Sequence, residues 1–357
     1  MSKFWSQRVH ELDPYIPGEQ PKDNQYIKLN TNENPYPPSP KALAAIQAAS
    51  DESLRLYSDP NSEELNRAIA DNYELERNQV FVGNSSDEVL AHVFSALLKQ
   101  EKSLFYPDIS YGFYKVYSRL FAIETVSVPL DDQLAINIED YCKGDKGGII
   151  FANPNAPTGL ALNCQQIQTI LDHNQDCVVV VDEAYVDFGA ESAVKLIDQY
   201  PNLLVVQTFS KSRSLAGLRV GFAMGHADLI EALERVKNSF NAYPLGRADI
   251  VGAAAAMRDK EYLEACCSKI IATRQTVTDR LKTLDFKVLP SSANFLFVKP
   301  QEITAKKLYL RLKEQDILVR YFASPRIDDY LRITIGTDAD MQTFLHSVQT
   351  ILHSSRS

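Results

Sequence analysis

A doubly wound α/β architecture, with a largely parallel sheet covered by helices and a smaller α+β part, is what this 357-residue chain predicts. Three observations carry that expectation. Val178-Val179-Val180-Val181 is a continuous β-branched run, the mark of a strand buried on both faces. From Gln79 to Gly225, short apolar strands alternate with helical stretches. After about residue 245 the pattern changes to a long helical region followed by short strands.

The elements follow in order. Residues 1–40 hold Pro14, Pro17, Pro21, Pro35, Pro37, Pro38 and Pro40, so this stretch drapes over the rest and forms no long helix. A helix starts after Ser39-Pro40, with the proline in its first turn. Another runs from Ser62 to Tyr73, with Ser62 as N-cap ahead of two glutamates. Strands are expected at Ser103–Tyr106, Thr125–Val128, Gly148–Ala152, Cys177–Val181, Leu203–Thr208 and Val220–Met224. Then come a helical region over Ala248–Leu284, strands Phe286–Leu289 and Asn294–Val298, and a helix Ala305–Glu314. Strands near Ile317–Val319 and Leu331–Thr334 and a last helix close the chain. No repeats or low-complexity linkers interrupt it.

Composition narrows the function classes. The chain is 45% hydrophobic and 23% charged, with a formal charge of −9 and no Lys/Arg-rich run, which argues against a nucleic-acid surface. Five cysteines, odd in number and without CxxC spacing, and six scattered histidines support neither a disulfide framework nor a zinc site. Free thiols, no apolar signal-length start and no membrane-length apolar run point to a soluble, cytoplasmic protein.

In a doubly wound sheet ligands bind beyond the carboxyl ends of the strands, so the residues just past each strand are read together. Lys211 follows Leu203–Thr208. A lysine there can act as an amine nucleophile, and Thr208, Ser210 and Arg219 can hold a phosphate beside it. An amine able to form a Schiff base next to a phosphate anchor describes the binding of pyridoxal 5′-phosphate. Asp182, 29 residues before Lys211, fits a neighbouring strand end one helical crossover away. Its carboxylate can pair with a protonated pyridine nitrogen or simply cap a helix, and Tyr185 can bond the ring's phenolate oxygen. Asn153-Pro154-Asn155-Ala156-Pro157-Thr158-Gly159 is a rigid turn whose asparagines can reach the crevice. Gly83-Asn84-Ser85-Ser86-Asp87 opens a helix as a phosphate seat would, though capping explains Ser85, Ser86 and Asp87 equally well. Tyr111 can stack on a planar cofactor. Arg332 interrupts an apolar strand and needs an anion there, either a ligand or a structural partner.

These residues resemble the fold-type I pyridoxal-phosphate enzymes, and more closely the histidinol-phosphate aminotransferase family. The resemblance runs from Leu29-Asn30-Thr31-Asn32-Glu33-Asn34-Pro35 through Tyr57-Ser58-Asp59-Pro60-Asn61, Asp182-Glu183-Ala184-Tyr185 and Ser210-Lys211 to Leu331-Arg332-Ile333-Thr334-Ile335-Gly336-Thr337. It implies a large cofactor-binding domain over 30–245, and a small domain made of 1–29 with 246–357. It implies Lys211 as Schiff-base lysine and proton carrier, Asp182 on the pyridinium and Tyr185 on the phenolate oxygen. Ser86 and Asp87 through their backbone amides, with Ser210 and Arg219, would bind the phosphate, Ser85 and Thr208 would also line the cofactor site, and Tyr111 would lie on the ring. Tyr57 would reach the partner subunit's site in a homodimer, and Arg332, Arg320, Tyr15 and Asn32 would meet the substrate. Where many relatives have asparagine before Pro-Thr-Gly this chain has Ala156, so Asn155 is the candidate for that contact.

The activity implied is amino transfer from glutamate to imidazole-acetol phosphate, giving histidinol phosphate and 2-oxoglutarate. Aromatic amino-acid aminotransferases carry nearly the same motifs and remain an alternative. A decarboxylase of a phosphorylated amino acid and a non-catalytic pyridoxal-phosphate regulator are more distant ones.

Overall fold

The structure, a computed structural model, describes residues 2–16, 18–21 and 26–356; of the prolines named above, Pro17 lies outside them. The strands are β1 (Ile27–Lys28), β2 (Val80–Asn84), β3 (Leu104–Pro107), β4 (Thr125–Val128), β5 (Gly148–Ala152), β6 (Val178–Asp182) and β7 (Leu203–Thr208). They continue with β8 (Val220–Gly225), β9 (Phe286–Val288), β10 (Phe295–Pro300), β11 (Ile317–Leu318), β12 (Arg320–Tyr321) and β13 (Leu331–Thr334). A seven-stranded sheet has the order β2-β8-β7-β6-β5-β3-β4. Its pairings are parallel except those of β8, which runs antiparallel to both β2 and β7. A four-stranded antiparallel sheet has the order β12-β13-β10-β9, and β1 pairs in parallel with β11.

The β-branched runs do what their composition requires. Val179, Val181 and Val205 point into one core, and Val180, Leu204 and Val206 into the core on the opposite face. Alternation sends successive side chains to opposite sides, so both faces of β6 and β7 must be apolar. A third core, with Leu296, Val298, Leu331, Ile333 and Phe344, lies against the four-stranded sheet.

Three local expectations differ from the structure. The crossover from β6 to β7 contains only the short 3-10 turns Val186–Phe188 and Ala193–Leu196, with no α-helix. Its course is held by the Glu183 carboxylate, which accepts from Ser192 Oγ at 2.7 Å and the Ala193 amide at 2.6 Å. Ser62 precedes the helix Glu63–Tyr73 but has φ 46° and makes no side-chain cap bond. The Asp59 carboxylate takes the Glu63 amide at 2.7 Å instead, serving as the cap from outside the turn. The helical region after 247 is two helices, Arg247–Arg258 and Lys260–Thr283, broken at Asp259. That residue leaves helical geometry (φ −90°, ψ 64°) and accepts from Ser39 Oγ at 2.5 Å and Lys41 Nζ at 2.7 Å.

Candidate active site

The parallel strands β5, β6 and β7 end along one edge of the sheet, and β2 ends there too because β8 runs antiparallel to it. The same reversal makes β8 begin at that edge, which delivers Arg219 to the place where the other strands deliver their last residues.

Lys211 lies just beyond β7. Its Nζ donates to Thr31 O at 3.2 Å and stands 5.8 Å from the Tyr185 ring centre. Asn34 Nδ2 donates to the carbonyls of Lys211 (3.1 Å) and Ser212 (3.0 Å), and Ser212 Oγ donates to Asp187 Oδ2 at 2.5 Å. The turn that carries the amine is therefore pinned on both sides.

Asp182, the last residue of β6, is 4% exposed. Burial pushes its carboxyl up to about 6, against two hydrogen bonds that favour the ionised form: Tyr114 Oη donates to Oδ2 at 2.8 Å and the Ala184 amide to Oδ1 at 3.3 Å. Tyr185 Oη accepts from Asn32 Nδ2 at 2.9 Å, which leaves the phenol proton to be donated elsewhere. Phe295 holds the ring edge-on at 5.1 Å.

At the start of the helix Ser85–Ala96, the Ser85 amide donates to Arg219 O at 2.9 Å and the Asp87 amide to Ser85 Oγ at 3.1 Å. Arg219 Nη2 donates to Asp87 Oδ2 at 2.7 Å, and Tyr111 Oη to Asp87 Oδ1 at 3.0 Å. Thr208 Oγ1 and Ser210 Oγ are 3.0 Å apart beside them. The helix start and β8 approach so closely that a Cβ on Gly221 would fall 2.2 Å from Ser86 N, which only glycine permits. Hydroxyls, a helix N-terminus and a guanidinium thus converge as a dianion requires.

Arg332 and Arg320 are direct partners across the β12–β13 ladder, and both guanidiniums lie 5.6 Å from the Phe322 ring. Arg332 Nη2 donates to Asn30 O at 3.0 Å, while its Nε is buried without a partner. Facing like charges are unfavourable by themselves, and together with an orphaned buried donor they describe a seat for an anion. Tyr15 packs against Phe113 with ring centres 4.3 Å apart and planes tilted by 31°, and contributes to the field at Arg332.

Other expected site residues are engaged differently. Asn155 is 2% exposed, and its side chain is committed to Ile109 O (2.9 Å), Thr158 Oγ1 (3.3 Å) and Ser110 Oγ (2.7 Å). Asn32 is 1% exposed and bonded to Tyr185 and Thr334. Tyr57 is 81% exposed and stacks on Tyr243 at 4.7 Å, turned outward from this chain. Sequence reasoning missed Tyr114 and Asn34. Tyr114 reads locally as one more aromatic at the start of the helix Phe113–Leu120, and its hydroxyl reaches Asp182 across 68 residues. Asn34 had no local signal beyond its place in the Asn32-Glu33-Asn34-Pro35 run.

An amine, a buried carboxylate, a phenol with a free proton and a separate oxyanion seat fit pyridoxal 5′-phosphate, and the orphaned Arg332 Nε fits a second anion. The comparisons agree. The family described as aminotransferase class I and II matches residues 24–348. The chain is 57% identical over 352 residues to histidinol-phosphate aminotransferase 1 of Hydrogenovibrio crunogenus, covering 99% of each chain. It is 56% identical over 354 residues to histidinol-phosphate aminotransferase 2 of Dechloromonas aromatica, covering 98% of this chain and 99% of the other. Its fold is similar to the crystal structure of histidinol-phosphate aminotransferase from Sinorhizobium meliloti in complex with pyridoxal 5′-phosphate, with a TM-score of 0.89, 21% identity and 99% of both chains covered.

Proposed function

Because the chain belongs to the class I and II aminotransferases, and within them to the histidinol-phosphate aminotransferases, we propose that it moves an amino group between glutamate and imidazole-acetol phosphate, the latter becoming histidinol phosphate. The observation that carries the substrate reading is the pair Arg320 and Arg332, set opposite each other with one buried guanidinium nitrogen unpartnered. A phosphate on one substrate and a carboxylate on the other can use that single seat, so two unlike molecules need no second pocket.

Pyridoxal 5′-phosphate, when bound, supplies an aldehyde for the amino group and a ring that stores the electron pair left when Cα loses its proton. The rest falls to the protein. Lys211 would leave the Thr31 carbonyl, and its amine would take the proton from the substrate's Cα and deliver it, across the nitrogen, to the cofactor's aldehyde carbon. Asp182, ionised and held by Tyr114, keeps the ring nitrogen protonated. Tyr185 would donate its proton to the ring oxygen, and Asn155, in the turn after β5, would have to release Ile109 O or Thr158 Oγ1 to join it. Tyr111 would lie against the ring, and the hydroxyls of Ser85, Thr208 and Ser210, the backbone amides of Ser86 and Asp87, and the Arg219 guanidinium would hold the phosphate. Arg219 is already paired with Asp87, so the phosphate enters beside a carboxylate that keeps the cation in place.

In this reading residues 30–245 form the cofactor-binding part, and 1–29 with 246–357 bring Tyr15, Arg320 and Arg332 to it. Tyr57, exposed on this chain, completes the phosphate seat of a second copy in a homodimer.

Stopped-flow absorbance of the cofactor-loaded protein, mixed separately with histidinol phosphate and phenylalanine, tests the proposal. Much faster conversion with histidinol phosphate is expected; preference for phenylalanine would overturn the substrate reading. The Lys211→Ala variant should lose turnover, and normal rates would end the mechanism.

A further inference from the structure

Three consecutive residues, Asn30, Thr31 and Asn32, each touch a different member of the candidate site. The Asn30 carbonyl accepts from Arg332 Nη2 at 3.0 Å, and the Thr31 carbonyl from Lys211 Nζ at 3.2 Å. Asn32 Nδ2 donates to Tyr185 Oη at 2.9 Å. Nothing in the local sequence requires this; the bonds span 302, 180 and 153 residues.

The segment is itself fixed from the other side. Leu29 O accepts from the Thr334 amide at 3.0 Å, and Asn32 O from Asn294 Nδ2 at 2.9 Å. Thr334 Oγ1 accepts from the Asn32 amide and donates to Asn32 Oδ1, both at 3.0 Å, which turns Nδ2 toward Tyr185. Asn32 holds φ 57°, a left-handed conformation that asparagine tolerates better than most residues. A buried, strained asparagine with both ends of its amide engaged is placed for a purpose other than meeting a substrate.

We infer that Asn30–Asn32 is the positioning element of the site, and that Asn32 is a positioning residue that acts on the reaction through Tyr185 by fixing its hydroxyl as a donor toward the cofactor's ring oxygen. The inference rests on the aminotransferase reading given above. By donating to Tyr185 Oη, Asn32 occupies an acceptor position and leaves the phenol proton to point away from it. The charged and titratable groups around Tyr185 do not supply the same constraint. Lys211 faces its ring, Arg332 acts on it through the field, and Asp182 is engaged by Tyr114. The same three-residue run ties the anion seat at Arg332 to the amine at Lys211, so one segment registers both.

The test is a pH titration of bound-cofactor absorbance in four loaded proteins: the unmodified chain, Asn32→Asp, Tyr185→Phe and the double variant. A donor at the ring oxygen stabilises the more anionic form of the cofactor, so its loss moves the midpoint upward. Tyr185→Phe should raise the midpoint by about one pH unit or more. Asn32→Asp keeps the size and the tolerance for positive φ but replaces the donor with an acceptor that captures the phenol proton, so it should raise the midpoint by a similar amount. In the Tyr185→Phe background it should add nothing. Asn32→Gly, which suits the backbone and adds no charge, is titrated alongside; it frees the phenol proton without capturing it, so it should raise the midpoint by less than Asn32→Asp.

An unmoved midpoint in both Asn32 variants overturns the inference. So does a full shift that persists in the Tyr185→Phe background, since the effect then bypasses Tyr185. If Tyr185→Phe alone leaves the midpoint unmoved, the placement of Tyr185 on the ring oxygen fails, and the inference goes with it. A chain that takes up no cofactor overturns the aminotransferase reading itself, a distinguishable result because no absorbance band forms.

Discussion

Asp182 and Glu183 are adjacent, both buried, and both carboxyls are pushed upward by that burial, to about 6 and about 7. Their surroundings are otherwise opposite. Glu183 is saturated, accepting from Ser192 Oγ, the Ala193 amide and Gln207 Nε2 at 2.6–2.9 Å. Asp182 has one strong donor, Tyr114, and one long one, the Ala184 amide at 3.3 Å. An ionised carboxylate has room for about four hydrogen bonds, so Asp182 retains acceptor capacity where the cofactor would sit while Glu183 has little left. Burial alone does not separate a working carboxylate from a structural one; the number of acceptor positions left open does.

The largest effect that sharpens this contrast is expected from Asp182→Asn. It preserves shape but removes the charge facing the ring nitrogen, and kcat should fall on the order of 100-fold or more with little change in melting temperature. An unchanged kcat would place the two carboxylates in the same class. Glu183→Gln should do the reverse. It sets an amide against donors that need an acceptor and should cost about 1–3 kcal/mol of stability, read by denaturant unfolding, while kcat stays within a few-fold.

Tyr114→Phe lies between them. Without the phenol donor the Asp182 carboxyl moves further up, so the acid limb of kcat/KM should shift to higher pH by about one unit. A profile that does not move would show that Tyr114 only fills space. The smallest effect is in stability. Both carboxyls bind a proton more tightly in the folded chain than in the unfolded one, so their contribution is fullest below the ordinary carboxylate range. It is lost as pH rises through about 6 for Asp182 and about 7 for Glu183. The cofactor-free protein should therefore lose stability between about pH 4.5 and about pH 7 relative to Glu183→Gln, a difference read from paired melting curves and on the order of 1–3 kcal/mol.

What was legible in the sequence follows from the same distinction between local and distant causes. β4, β5, β7 and β13 begin and end where the apolar runs do, because alternation and β-branching are local properties. Lys211, Asp182 and Arg219 were legible because a strand end declares its own position. The irregular crossover after β6 was not, since a spacing of 29 residues suits a helix as well as two short turns. The break at Asp259 was hidden for a similar reason: its cause, Ser39 with Lys41, lies about 220 residues away. Tyr114 reads locally as one more aromatic in a run with Phe113 and Tyr117, and only the fold brings its hydroxyl to Asp182. Asn32 was placed among the substrate contacts by resemblance, whereas its amide is committed to Tyr185 and Thr334.

The span of 302 residues between Asn32 and Thr334 also sets an order of events during synthesis. The strands of the seven-stranded sheet are all present once residue 225 has been made, and that sheet can fold while the chain is still growing. The residues that hold Tyr185 and park Lys211 precede that sheet, yet the strand that fixes them, β13, is made about a hundred residues after the sheet's last strand. A nascent chain can thus possess all the phosphate-seat residues of its own sheet and still lack a working centre. Chains truncated before β13 should bind phosphate-bearing ligands without acquiring the ordered amine and phenol, so the route of the polypeptide puts the assembly of the reacting groups after that of the anion seat.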